Sequence, residues 1–190
     1  LDLQIVPQGG NTGLVLGALP DSPARQVVVT LERMSRIRCL DPDNFSAVVE
    51  AGAVLEQVKE AVAAVGLYFP LTLGAQGSCQ IGGNVSTNAG GVNVLRYGMT
   101  RELVLGLEVV LPDGQLFDGL SQLRKDNSGL DLKQLFIGAE GTLGIVTAVS
   151  IKLLPAPEKV ATALVALSRL EDAIELYRRA RRDCCDLISA

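Results

Sequence analysis

The residues best placed to do chemistry are glycines and the small polar residues around them. Twenty of the 190 residues are glycine, above the usual share of about 7%. Four fall in Gly9–Gly17, seven in Gly74–Gly98 and three in Gly138–Gly144. The first window reads Pro7-Gln8-Gly9-Gly10-Asn11-Thr12-Gly13, and no Lys or Arg precedes Arg25. Consecutive glycines can adopt the alternating dihedrals of a nest, whose N–H groups converge on an anion. Asn11 and Thr12 add side-chain donors, so an anion held here meets neutral groups. Taken alone, the loop is more simply a turn with glycine at positive φ.

The second window, Gly74-Ala75-Gln76-Gly77-Ser78-Cys79-Gln80 through Ile81-Gly82-Gly83-Asn84-Val85-Ser86-Thr87-Asn88-Ala89-Gly90-Gly91, carries seven side-chain amides or hydroxyls, six glycines and no charge. Such a wall suits a flat, uncharged ring system with a polar edge, or a pair of tight loops packed on a sheet. The third, Gly138-Ala139-Glu140-Gly141-Thr142-Leu143-Gly144-Ile145-Val146, runs straight into an apolar stretch. Glycine loops without charge make poor solvated linkers, and three in one chain point to backbone brought close to a ligand.

Other chemistries are excluded by inspection. The chain has no histidine, which removes Ser-His-Asp and Cys-His catalysis and His metal ligation within it. Cys39, Cys79, Cys184 and Cys185 form no CxxC pair, so no metal site is expected and a reducing intracellular compartment is the default. Cys79 reads as a small buried hydrophobe rather than a reactive thiol. No two glycines are spaced G-x-G and none precedes Lys, so the dinucleotide fingerprint and the Walker A loop are absent. A net charge of −4 with no Trp argues against nucleic acid. No run of about 18 apolar residues suggests a membrane span. Lys125 and Asp126 read as a solvated loop, and Arg178–Arg182 as the wet end of a helix.

The elements that must position these loops follow from periodicity. Strands are expected at Leu3–Val6, Val27–Leu31, Ile37–Leu40 and Ala47–Glu50, the last two joined across the turn Asp41-Pro42-Asp43-Asn44. Val54–Val65 has helical spacing and Gly66 closes it. A short helix is expected at Ile81–Ala89. Val104–Leu111 turns through Pro112-Asp113-Gly114 into Gln115–Asp118. Leu130–Phe136 predicts a helical turn, Leu143–Leu154 a strand ended by Pro155, Val160–Leu167 a further strand, and Leu170–Arg182 an amphipathic helix. Hairpins mixed with helices, without βα alternation, predict an α+β fold. Pro155-Ala156-Pro157 is the expected domain boundary.

In order along the chain, PQGGNTGLV (7–15), LERMSRIRCLDPDN (31–44), PLTLGAQGSCQIGGNVSTNAGG (70–91), LRYG (95–98), GLEVVLPDG (106–114) and LRKDNSGLDLKQLFIGAEGTLGIVT (123–147) resemble the FAD-linked oxidases and dehydrogenases of the vanillyl-alcohol-oxidase type. Within them the text resembles the flavoprotein D-2-hydroxyacid dehydrogenases, which act on D-2-hydroxyglutarate, D-lactate or glycolate. The resemblance implies a two-subdomain FAD-binding fold, truncated at its N-terminus here. It divides the chain into an incomplete FAD-binding domain (1–155) and the start of a C-terminal substrate, or cap, domain (158–190).

By resemblance, Pro7, Gln8, Gly9, Gly10, Asn11, Thr12 and Gly13 would hold the pyrophosphate. Gly74, Ala75, Gln76, Gly77, Ser78, Cys79 and Gln80, with Thr87, Asn88, Ala89 and Gly90, would line the flavin and its ribityl chain. Glu140, Gly141, Thr142, Leu143, Gly144, Ile145 and Val146 would give backbone contacts. Covalent relatives often carry His in the first window. Asn11 follows Gly9-Gly10 here, so FAD is expected without a histidyl bond. The reaction implied is oxidation of a D-2-hydroxyacid to the 2-oxoacid, with hydride passing to flavin N5. The electrons would then go to an electron-transfer flavoprotein, a quinone or a cytochrome. Catalytic and metal-binding residues would lie beyond this segment. The expected setting is cytoplasmic, or mitochondrial in a eukaryote, with homodimer formation compatible. Two other readings fit the same loops: a cell-wall precursor reductase acting on an enolpyruvyl sugar, and a non-catalytic flavin-binding or subunit-interaction module.

Overall fold

A computed structural model describes residues 3–21, 25–185 and 187–189; the first two residues, Leu1 and Asp2, lie outside them. Its centre is a five-stranded antiparallel sheet built from two hairpins and one long strand. The hairpins are β3 (Ile37–Asp41) with β4 (Ser46–Glu50), and β6 (Val104–Val110) with β7 (Leu116–Gly119). Between them runs β8 (Ile145–Lys152), giving the order β3-β4-β8-β6-β7. Phe45, at φ 52, lies in the first turn, just past Asp41-Pro42-Asp43-Asn44.

Alternation along these strands sets the core. Ala47, Val49, Leu107, Val109, Val149 and Ile151 are 0% exposed and face the same cluster. Helix α1 (Leu55–Ala63) lays Leu55, Val58 and Val62 onto it. Spacing of three and four residues puts these on one stripe, and full burial of each contributes about 1.5–3 kcal/mol. Helix α2 (Ile81–Ser86) adds Ile81 and Val85. A second, two-stranded parallel sheet pairs β1 (Gln4–Gln8) with β2 (Gln26–Thr30). Short pieces complete the order: β5 (Leu67–Tyr68), α3 (Val94–Tyr97), α4 (Thr100–Leu103), α5 (Lys133–Phe136), β9 (Leu154–Pro155) and α6 (Leu170–Asp183).

Polar side chains cross-link the strands. Glu50, with its side chain 2% exposed, accepts from the Arg36 amide at 2.9 Å and from the guanidinium groups of Arg36 at 3.0 Å and Arg38 at 3.2 Å. Arg38 also donates to both oxygens of Glu108, at 3.0 and 3.1 Å, and Thr147 Oγ1 donates to Glu108 at 2.7 Å. The Arg36 bond, reinforced by Arg38, lowers the Glu50 carboxyl to about 2.

One expected strand does not form. Val160–Leu167 has strand-type composition but pairs with nothing, and Val160, Leu164 and Val165 are exposed. A strand requires a neighbour to take its backbone hydrogen bonds, and the described residues offer none. Helix α6 forms as expected but buries no residue.

Candidate functional site

The three glycine windows, distant in sequence, meet at one place. Strand β1 delivers Pro7 and Gln8 into the first window. A Cβ built on Gly9 would lie 3.6 Å from Gly83 Cα and 3.6 Å from Gln80 Oε1; one on Gly10 would lie 2.0 Å from the Ser78 carbonyl oxygen. The first window is therefore pressed onto the second. A Cβ on Gly141 would come within 2.7 Å of Pro7 Cγ, so the third window closes from the other side. The second window is anchored to the core in turn: Leu55 N donates to Cys79 O, Ile81 N to Ala53 O and Gly82 N to Ala51 O.

Between the windows lies a cleft of about 160 Å³. The first window contributes Pro7, Gln8, Gly9, Asn11, Thr12 and Gly13, the second Gly82, Gly83, Ser86 and Thr87, and the third Glu140, Gly141, Gly144, Ile145 and Val146. Val15, Gly17, Ala18 and Leu31 complete the lining. No Lys or Arg lines it.

The first window leaves its donors free. The amides of Gly9, Gly10, Asn11, Thr12 and Gly13 donate to no protein acceptor among the described residues. Backbone N–H groups are obligatory donors, so a run of five without partners calls for water or a ligand acceptor. The loop is held all the same: Gln8 Nε2 donates to Ala18 O at 2.8 Å, and Leu19 N to Leu16 O at 3.0 Å. Asn11 sits at φ 50, a conformation that Asn tolerates better than most residues. Gln80 Oε1, buried beside Gly9, has no hydrogen-bond partner.

Other expected site residues lie outside the cleft or have their backbone groups committed to the fold. Gly10 supports the loop from beneath but does not line the cleft. Gly74–Gln80 do not line it either; they fold over the start of α1, where Glu56 N donates to Gln76 O and Lys59 Nζ to Gln76 Oε1 and Thr72 Oγ1. Cys79 is 3% exposed, and burial pushes its thiol pKa up, consistent with a packed rather than a reactive group. Ala89 O accepts from Thr100 N and Thr100 Oγ1, which ties Asn88–Gly90 to α4. In the third window, Glu140 N is committed to Ser86 O and Thr142 N to Ala139 O. Ile145 and Val146 belong to the β8 ladder with β6. Leu143 is 48% exposed, outside the cleft lining.

Sequence reading missed Gly82, Gly83 and Ser86, which face the cleft from α2, although their Gly-Gly pair stood inside the quoted window. It also missed Arg101 on α4. The Arg101 amide donates to Asn88 Oδ1 at 3.0 Å, Nη1 reaches the Gln134 carbonyl at 3.1 Å and the Gln134 side chain, and Nη2 reaches Ile137 O. One residue thereby fixes the end of the second window to the approach of the third. A lone Arg between two unremarkable stretches gave no periodic signal.

A larger groove of about 780 Å³ lies under the loop after β7. Several of its charged groups are occupied: Arg124 by the carbonyls of Asn44, Phe45 and Leu153, Asp126 by Ser128, and Asp131 by Lys133. The glycine windows do not line it.

Comparison with known proteins fits the cleft. The family described as FAD binding domain matches residues 1–119. Bovine (Bos taurus) mitochondrial D-2-hydroxyglutarate dehydrogenase is 46% identical over 189 residues, 100% of this chain and 34% of that protein. The D-2-hydroxyglutarate–pyruvate transhydrogenase of Saccharomyces cerevisiae is 42% identical over 188 residues, 99% of this chain and 38% of that protein. The chain thus spans little more than a third of these curated relatives. Among solved structures, an alkyldihydroxyacetonephosphate synthase superposes with a TM-score of 0.72 at 23% identity, covering 82% of this chain and 28% of that one. That likeness shows the fold. A cation-free cleft lined by free backbone donors, a sheet of this topology and a profile match over more than half the sequence agree: the chain belongs to the FAD binding domain family, with a fold of the vanillyl-alcohol-oxidase type.

Proposed function

We propose that this chain is the FAD-holding part of a dehydrogenase that oxidises a D-2-hydroxyacid, of the D-2-hydroxyglutarate or D-lactate kind, to its 2-oxoacid. The observation that carries the cofactor reading is the run of five unpartnered amides, Gly9–Gly13, at the meeting of the three windows. Free, neutral N–H groups along a glycine loop suit a diphosphate. The remaining sequence-expected contacts, Gly74–Gln80 and Asn88–Gly90, would serve parts of FAD outside the 160 Å³ cleft, which is too small for the whole cofactor. Bound FAD supplies a two-electron acceptor for the substrate's α-hydrogen. The chain's own residues bind and orient it. The substrate reading rests on the names of relatives aligned across essentially the whole chain.

Residues 1–155 form the FAD-binding unit in this reading, and 158–190 open the substrate domain. The exposed Val160–Leu167 segment and the bare α6 support that division. FAD is held without a histidyl link, since the chain has no His. Electrons leave to an electron-transfer flavoprotein, quinone or cytochrome, and a mitochondrial setting follows the relatives if the source is a eukaryote.

The test uses the full-length protein. Acid precipitation should release all flavin into the supernatant, and anaerobic D-2-hydroxyglutarate or D-lactate should bleach the flavin absorbance while the L-enantiomer does not. Gly83 supplies the structural control. It lines the cleft, and a Cβ there meets nothing within 4 Å. Gly83→Leu should weaken FAD binding at least about tenfold, or about 1.4 kcal/mol, with the apoprotein's Tm nearly unchanged. Undiminished FAD affinity in a folded Gly83→Leu variant would remove the cleft from the cofactor site.

A further inference from the structure

Glu140 is the odd residue of the cleft. It is the one charged residue among the described residues lining it, and its charge has the wrong sign for a diphosphate. Its backbone is held in the left-handed region at φ 52, which L side chains other than Asn and Asp adopt reluctantly. Its amide is spent on Ser86 O at 2.9 Å, so the backbone contact that the sequence suggests cannot come from that N–H. What remains is the carboxylate, which has no hydrogen-bond donor or ion-pair partner among the described residues. An ionised carboxylate only accepts. Glu140 is exposed, so water satisfies it in the free protein, and a ligand that displaces that water must offer donors in its place.

Resting on the FAD reading above, we infer that Glu140 accepts hydrogen bonds from the hydroxyls of a sugar next to the cofactor's diphosphate. The argument is one of reach and chemistry. The unpartnered amides of Gly9, Asn11, Thr12 and Gly13 take the diphosphate, and these residues share with Glu140 a cleft of about 160 Å³. In so small a space, the groups beside a diphosphate are the sugars attached to it: the adenosine ribose on one side, the ribityl chain on the other. Neither phosphate can approach the carboxylate favourably, whereas a vicinal diol can donate to both of its oxygens. Dinucleotide sites elsewhere use an acidic residue on a ribose diol for the same reason. Glu140 thereby sets which way round the cofactor lies in the cleft.

The experiment measures the Kd of FAD for the full-length apoprotein, with ADP and FMN as competitors. ADP keeps the ribose and diphosphate; FMN keeps the ribityl chain. Glu140→Gln should weaken FAD at least about tenfold, as loss of a charged acceptor does. Parallel weakening of ADP alone assigns the adenosine ribose, and of FMN alone the ribityl chain. Glu140→Gly relieves the left-handed backbone, so its apo Tm should hold or rise while FAD affinity falls equally. That combination separates lost binding from lost folding. FAD bound as tightly or more tightly by both variants overturns the inference. If Gly83→Leu also leaves FAD binding intact, the cleft reading has failed instead.

Discussion

Gly10 and Gly83 are both glycines for want of room or need of it, and the structure separates the two cases. At Gly10 the obstacle is the protein's own Ser78 carbonyl, 2.0 Å from where a Cβ would stand. Sequence reading placed Gly10 either in a loop that holds the pyrophosphate or in a plain turn, and neither names the Ser78 carbonyl. Which atom crowds a glycine is a tertiary fact that no local pattern carries. Gly10→Val should accordingly lower the apo Tm by several degrees, as overpacking of about 1–3 kcal/mol does, with cofactor loss following the fold. Differential scanning fluorimetry of the apoprotein checks this, and an unchanged Tm would contradict it. Glu50 gives a second residue-scale expectation. Its carboxyl is lowered to about 2 in the fold, against about 4.3 when unfolded. The stability it confers is therefore complete above the unfolded value and is lost as pH falls through about 2. Wild type should exceed Glu50→Gln by about 5 °C or more in Tm at pH 7. That gap should close between about pH 4.3 and pH 2; a constant gap would refute it.

At the scale of elements, the long periodic pieces were legible, as were the short helices α2 and α5. Helix α1 and the two hairpins follow from spacing and turn residues. The four-residue helices α3 and α4 do not, because side chains from elsewhere hold them: Asn93 Nδ2 donates to Tyr68 Oη, Pro70 O and Thr72 Oγ1, and Glu102 caps the Met99 amide at 2.8 Å. Val160–Leu167 shows the converse, strand-forming residues without a partner. Arg101 belongs to this scale too, because it acts by joining elements. Arg101→Ala should speed amide hydrogen exchange across residues 134–140 and weaken FAD severalfold, while α1 and β4 exchange as before. Arg101→Lys should not restore the wild type, since one ammonium cannot span Gln134 and Ile137 as the guanidinium fork does. Uniformly faster exchange would reduce Arg101 to general stability.

For the whole molecule, the residues of the core cluster lie between Leu31 and Leu153. The five-stranded sheet, α1 and α2 supply most of that cluster, whereas α6 and the segment leading to it contribute no buried residue among the described residues. Removing residues 158–190 should leave the Tm of the remaining apo unit within about 2 °C, because little apolar area is lost from the core; a large drop would show hidden support. The lining of the cleft has one more consequence. Sites that clamp phosphates with Arg or Lys derive attraction from long-range Coulomb fields, which mobile ions screen over a Debye length of about 10 Å at 0.1 M. Here no cation lines the cleft, and short-range amide dipoles act instead. The cofactor's affinity should therefore be nearly indifferent to ionic strength, and release of flavin by raising sodium chloride would reveal a cationic contact from outside these residues.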